Sequence, residues 1–130
     1  MTMRRDDPSV MVVEDDDDIR ESLAEMFTGR GYRALGVATP HRAFELLERG
    51  WRPRVIVLDP FTPNDVHGFQ SKLAANPTWA TIPMIVGPGA DPATDAIQGR
   101  KQTHFLRKPL NLRDLFDILG RYCSGRSLRC

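Results

Sequence analysis

Four ionisable side chains in this 130-residue chain are of types that could do chemistry together: Glu14, Asp15, Asp59 and Lys108. Each closes or follows a short apolar run. Glu14-Asp15 follow Val10-Met11-Val12-Val13, Asp59 ends Arg54-Val55-Ile56-Val57-Leu58-Asp59, and Lys108-Pro109 follow His104-Phe105-Leu106-Arg107. Carboxylates gathered from separate strand ends repel one another, and without a cation some would stay protonated. A hard divalent ion with oxygen ligands resolves the repulsion, and Mg²⁺ takes one or two carboxylates plus waters and phosphate oxygens. A lysine at the same edge holds a phosphoryl oxygen as a point charge. Carboxylate nucleophile, metal clamp and lysine together fit phosphoryl transfer to an aspartate. Singly, each has a plainer reading. Asp15 to Asp18 suit a solvated helix N-terminus, where acids complement the macrodipole. Asp59 alone reads equally as a loop cap, and Lys108 alone as a surface lysine. The signal is their joint placement at three strand ends.

Those positions need a scaffold, and the order of apolar residues supplies one. Val10 to Val13 reads as a buried strand between Pro8-Ser9 and the acids. Ile19, Leu23, Met26 and Phe27 then recur at helical spacing. Asp18 and Glu21 look like a capping box, and Gly29 or Gly31 stops the helix. Tyr32 to Val37 is a second strand. Thr39 caps a helix with Pro40 at its first position and Ala43, Leu46 and Leu47 inward, ended by Gly50. Arg54 to Asp59 is the third strand, and Pro60 to His67 a proline-rich polar loop. Gly68 to Ala75 is a short helix with Phe69 and Leu73 on one side, ended by Asn76-Pro77. Pro83 to Val86 is the fourth strand, broken by Gly87-Pro88-Gly89. Pro92 to Gly99 is a weak helix with only Ala93, Ala96 and Ile97 to bury, and His104 to Arg107 is a short fifth strand. Asn111 caps the last helix, whose inner stripe is Leu112, Leu115, Phe116, Leu119 and Tyr122. Continuous apolar strands alternating with amphipathic helices imply a parallel sheet covered on both faces. The crevice of such a fold lies beyond the carboxyl ends of its strands, where the acids and the lysine stand.

Composition narrows the function classes. Hydrophobic residues are 41% and charged residues 27%, ordinary for a soluble globular chain of one domain. A chain this long buries about two thirds of its unfolded surface, so neither metal nor disulfide is needed for folding. Eighteen basic against seventeen acidic residues leave a net charge of +1, which argues against a dedicated nucleic-acid binder. No apolar run is long enough to span a bilayer, and no signal-peptide core follows Arg4-Arg5. Cys123 and Cys130 read as reduced thiols. The expected address is the cytoplasm, with neither nucleic acid nor membrane as a direct partner. His41, His67 and His104 lack metal-ligand spacing. Trp51 and Trp79 are expected to cover the core's rim. The Gly87-Pro88-Gly89 bend reads as a plain turn before a phosphate nest, and Arg121, Arg126 and Arg129 as a basic tail.

From about Ser9 to Tyr122 the chain resembles the receiver domain of two-component response regulators, the CheY-like superfamily. Val12 to Arg20 resembles the family's first strand, acidic pair and start of the first helix. Val55 to Asp59, with Pro63 four residues on and Gly68 beyond, resembles the phosphoacceptor strand and loop. Phe105-Leu106-Arg107-Lys108-Pro109-Leu110, followed by a capped helix, resembles the closing segment. The resemblance implies a flavodoxin-like, doubly wound, five-stranded parallel sheet, (βα)5, with strand order 2-1-3-4-5. The receiver would span residues 9–123, between tails at 1–8 and 124–130. It implies Asp59 as phosphoacceptor, taking the group from a phosphohistidine on a sensor histidine kinase or phosphotransfer protein. Asp15 would bind Mg²⁺ directly, Glu14 directly or through water, with Asp59 and the backbone carbonyl of Phe61 completing the protein ligands. Lys108 would pair with the phosphoryl group, ahead of a cis bond to Pro109. Phe105 occupies the aromatic switch position. The last two helices and the strand between them would be read by a downstream effector, and the partners the resemblance implies include a second copy of the chain in a homodimer.

Three departures stand out. The family ends its fourth strand with a serine or threonine that hydrogen-bonds the phosphoryl group, and that switch position here holds Pro88. The residue after Asp59 is Pro60, which lacks the backbone N–H that the family uses as a donor. Asp59 to Gly68 is one residue longer than usual, with Thr62 where methionine is common. Each missing donor to a charged group is worth about 1.5–3 kcal/mol, so an impaired or unconventional switch is expected. The rival reading is a pseudo-receiver, a docking module whose binding does not depend on phosphate. A haloacid-dehalogenase-type phosphatase would need a second acid two residues after Asp59, where Phe61 stands. A dinucleotide-binding protein would need a glycine-rich turn after the first strand. The expectation is a phosphorelay receiver that is not an enzyme in the ordinary sense.

Overall fold

The structure, a computed structural model, describes residues 10–58, 63–87, 103–105 and 111–122, with the backbone alone at 63–66 and at Phe105. Five strands form one parallel sheet: β1 (Val10–Val13), β2 (Ala34–Val37), β3 (Val55–Leu58), β4 (Met84–Val86) and β5 (Thr103–Phe105), in the order β2-β1-β3-β4-β5. Among the described residues four α-helices join them: α1 (Asp17–Gly29), α2 (Pro40–Glu48), α3 (Pro63–Ala75) and α4 (Leu112–Tyr122), with a 3₁₀ turn at Trp79–Thr81. The expected sheet, its parallel sense and its strand order are those observed. The expected helix from Pro92 to Gly99 and both cysteines lie outside the described residues.

The sheet divides the interior into two layers, because successive residues of a strand point to opposite faces. Met11, Val13, Ile56, Leu58, Met84 and Val86 pack with Ala43, Phe44, Leu46 and Leu47 of α2 and Phe69 and Leu73 of α3. Val10, Val12, Val55, Val57 and Ile85 pack with Phe27 of α1 and Leu115 and Leu119 of α4. With helices on both faces, every residue of β1 and β3 is buried. This is why those strands read as unbroken apolar runs rather than alternating ones. Aromatic pairs brace each layer: Phe44 lies 4.7 Å from Phe69 and 5.6 Å from Trp79, and Phe116 meets the edge of Phe27 at 5.9 Å.

The helix ends follow local chemistry. Thr39 accepts the Arg42 backbone N–H at 3.1 Å with Pro40 in the first position, and Asn111 accepts the Arg113 N–H at 2.9 Å, both as expected. Gly31 and Gly50 adopt φ of 92° and 103° just past α1 and α2, the left-handed region where glycine has no steric cost.

Several expectations need correction. The first helix is capped by Asp16, whose Oδ1 accepts the Ile19 N–H at 3.0 Å, not by Asp18 with Glu21. Asp16 has the extended backbone a cap requires (φ −81°, ψ 123°), whereas Asp18 already lies within the helix. α3 begins at Pro63, five residues before the expected Gly68. A proline in a first helical turn loses no hydrogen bond, so the loop reading ran too far, and His67 is helical. Ile19 and Leu112 are 45% and 43% exposed, because both stand in a first helical turn rather than over the sheet. Trp79 is a core residue, 7% exposed, while Trp51 packs against the rim.

A candidate phosphoryl-transfer edge

Parallel register aligns the carboxyl ends of all five strands. Val13 pairs with Val37 on one side and Leu58 on the other, Leu58 pairs with Val86, and Val86 with Phe105. These five residues form a single row across the sheet, at about 4.8 Å per strand. The backbone continues the lattice one step further. Glu14 N–H donates to the Val37 carbonyl at 3.0 Å, and Gly87 N–H donates to the Leu58 carbonyl at 2.8 Å.

Glu14 and Asp15 leave this row in different environments. Glu14 is 1% exposed, a buried carboxylate at the edge of the core. Burial of a charge is tolerated only with hydrogen bonds or counter-charge. Its Oε2 accepts the Asp16 N–H at 2.9 Å, at the start of α1, where the helix dipole favours an anion. Asp15 is exposed. Asp16, Asp17 and Asp18 follow, so five consecutive residues carry carboxylates at one place.

Among the described residues, the guanidinium of Arg20 meets this acidic run. Arg20 donates through Nη1 to the Glu14 carbonyl at 3.0 Å and through Nη2 to Asp17 Oδ1 at 2.6 Å. It thereby ties the first turn of α1 to the residue that leaves β1. Its stem lies over β2, where a β-carbon at Gly36 would stand 2.7 Å from Arg20 Cγ and 3.1 Å from Cδ. Gly36 is therefore the space through which Arg20 reaches the edge. Neither role was assigned from sequence, although a glycine inside an otherwise apolar strand is the standard sign of close approach.

Of the other expected site residues, the structure places the backbone of Phe105 at the carboxyl end of β5. Asp59, Phe61, Pro88 and Lys108 lie outside the described residues. Asp59 follows Leu58 directly in the chain, and Leu58 ends the strand beside Val13. Beside Phe105, His104 Nε2 is 2.6 Å from the Tyr122 hydroxyl of α4. Partial burial first, then the charge of Arg121, lowers the pKa of His104 below its ordinary value.

The donor chemistry at Glu14 and Asp15 is all oxygen and anionic, with one of the two carboxylates open to solvent. It fits a hard, hydrated divalent cation rather than a soft or imidazole-bound metal. Among the described residues no cluster of three metal-binding side chains occurs; a complete site would need Asp59. No helix among them is long and apolar enough to cross a membrane.

No protein-family model matches the chain. A transcriptional regulatory protein of Streptomyces coelicolor, AfsQ1, is 40% identical over 63 residues, a match covering 48% of this chain and 27% of that protein. The chain thus spans about a quarter of the length of this curated relative. Among solved structures, a response regulator receiver protein from Pseudomonas putida is 25% identical over 88% of this chain and 97% of its own, with a TM-score of 0.74. The receiver domain of a signal transduction histidine kinase from Syntrophus aciditrophicus is 25% identical, covering 91% of each chain, with a TM-score of 0.74. The chemotaxis protein CheY4 of Vibrio cholerae shares the fold at 22% identity and a TM-score of 0.72, over 87% of this chain and 96% of its own. Sheet order, helix placement and these likenesses agree on the fold: the chain has the flavodoxin-like fold of the CheY-like response-regulator receiver domains that are its structural neighbours.

Proposed function

We propose that the chain is the phosphoacceptor of a two-component relay, receiving a phosphoryl group on Asp59 from a phosphohistidine of a sensor kinase or phosphotransfer protein. The observation that carries the reading is the shared row of strand ends, from which a buried Glu14 and an exposed Asp15 emerge beside the strand that runs into Asp59. In the transfer, a carboxylate oxygen of Asp59 bonds to phosphorus as the phosphorus–nitrogen bond breaks. The imidazole leaves with the electron pair and keeps its second nitrogen's proton. Asp15, Asp59, Glu14 and the Phe61 carbonyl would hold Mg²⁺, which when bound neutralises charge on the phosphoryl oxygens. Lys108 would pair with one of those oxygens. Arg20 holds the Glu14 backbone in place and so fixes the direction in which Asp15 leaves the strand.

The group stays on the protein rather than turning over, so the chain acts as a stoichiometric acceptor in the cytoplasm and passes its signal to an effector protein. Pro60 and Pro88 remove two donors from the transfer site, which slows labelling and weakens its coupling to Phe105. Incubation with a small-molecule phosphodonor and Mg²⁺, followed by intact mass, tests both parts. The expected result is slow gain of one phosphoryl group, lost in Asp59→Asn and without Mg²⁺. Absence of any labelling overturns the relay reading in favour of phosphate-independent docking. Rapid labelling with a large conformational change overturns the impairment.

A further inference from the structure

At the pole of the sheet opposite the acids, a cavity of about 300 Å³ opens between the segment entering β3 and the turn entering β4, lined by Arg52, Pro53, Arg54, Thr78, Thr81 and Ile82. The chain is nearly neutral overall, yet its charge is sorted. Five acids stand in sequence at Glu14 to Asp18, and three arginines crowd Arg49-Gly50-Trp51-Arg52-Pro53-Arg54 with no acid among them. Among the described residues none of these arginines is paired with a carboxylate.

The cavity is built rather than incidental. Arg52 Nη1 donates to the carbonyls of Leu47 at 2.9 Å and Trp51 at 2.7 Å. These bonds fix its guanidinium at the end of α2 without neutralising its charge. The buried Pro53 holds the backbone between the two lining arginines at one φ. Across the opening, Asn76 Oδ1 accepts the N–H groups of Thr78 and Trp79, and Thr81 Oγ1 donates to the Thr78 carbonyl. The guanidinium of Arg54 and the hydroxyl of Thr78 have no partner among the described residues, and no carboxylate lines the cavity. Two planar guanidinium groups, that of Arg52 held in place and that of Arg54 open to solvent, with a hydroxyl opposite, suit the oxygens of a phosphate group. The volume is that of a small-molecule site at the lower end of the usual range.

We infer that this cavity binds a phosphate monoester or free phosphate, at a site separate from the acidic edge and independent of Mg²⁺. The test is a ¹H–¹⁵N titration of the full chain with inorganic phosphate, and separately with adenosine 5′-monophosphate. Both are run without Mg²⁺ at ionic strength held constant with chloride. Saturable shifts are expected at the amides of Arg54, Thr78, Thr81 and Ile82, with affinity falling about ten-fold in Arg54→Gln and in Thr78→Ala. Both positions are exposed, and unchanged thermal melts would show that the variants remain folded. Tighter binding of the nucleotide identifies an organic monoester as ligand, and equal binding identifies the phosphate group itself. Shifts that never saturate, that chloride reproduces, that persist in both variants, or that centre on Glu14 to Asp18 overturn the site.

Discussion

Replacing Gly36 with alanine should destabilise the protein through one side chain, Arg20. The new methyl carbon would lie 2.7 Å from Arg20 Cγ, closer than non-bonded carbons approach, and 3.1 Å from Cδ. These are mid-stem atoms, and the guanidinium beyond them is tethered at the Glu14 carbonyl and at Asp17. The stem cannot shift by the required amount while both tethers hold. The exposed pair with Asp17 is worth at most about 1 kcal/mol. The charged donor to the partly buried Glu14 carbonyl is worth about 1.5–3 kcal/mol, so Gly36→Ala should cost about 2 kcal/mol. In an Arg20→Ala background the clash and the tethers are both gone. There, alanine should be neutral or stabilising by about 0.4–1 kcal/mol through the unfolded chain, since Gly36 has no positive φ to preserve. Urea unfolding followed by circular dichroism reads the cycle. With a slope of about 2 kcal/mol/M, the single substitution lowers the midpoint by about 1 M. Equal cost in both backgrounds would refute the account of Gly36 as clearance for Arg20.

Other outcomes follow from the same geometry. Asp16→Ala removes the cap on the Ile19 N–H and should cost about 1 kcal/mol, read as a lowered Tm. Leu119→Ala, at a fully buried position, should cost about 2–5 kcal/mol. Leu112→Ala, at a 43% exposed one, should fall within about 0.5 kcal/mol of the parent, and urea midpoints separate the two. His104 has a lowered pKa in the fold, so below its ordinary pKa of 6.5 the unfolded chain binds more protons than the folded one. Its contribution is present above that pH and is lost as pH falls through the folded value. Melts from pH 8 to pH 5 should therefore show a loss of stability on acidification that is smaller in His104→Gln.

The elements legible in the sequence were those whose pattern admits one structure. β1 was bounded correctly because four β-prone apolar residues sit between a proline-serine pair and a run of acids. α2 announced itself through Thr39-Pro40. Legibility failed where several residues of one type compete or one residue serves two purposes. Four consecutive aspartates offer several caps, and only backbone geometry selects Asp16. Pro63 starts a helix as readily as it breaks one. Apolar periodicity finds the stripe of α1 and α4 but not where the sheet stops beneath it, hence Ile19 and Leu112. At the sheet edge, the placement of Glu14 and Asp15, though not their role, was legible from their position after a buried strand. Arg20 had no assigned role, because sequence does not say which carbonyl a guanidinium will meet. Gly36 carried that information as a missing side chain.

The two interior layers also sort the chain's chromophores. Both tryptophans, Trp51 and Trp79, belong to the layer of α2 and α3, and both tyrosines, Tyr32 and Tyr122, pack against the layer of α1 and α4. Indole emission therefore watches one side of the sheet and phenol absorbance the other. Unfolding curves from the two dyes should superimpose when the sheet holds both sides together. A substitution that loosens one side alone will pull them apart.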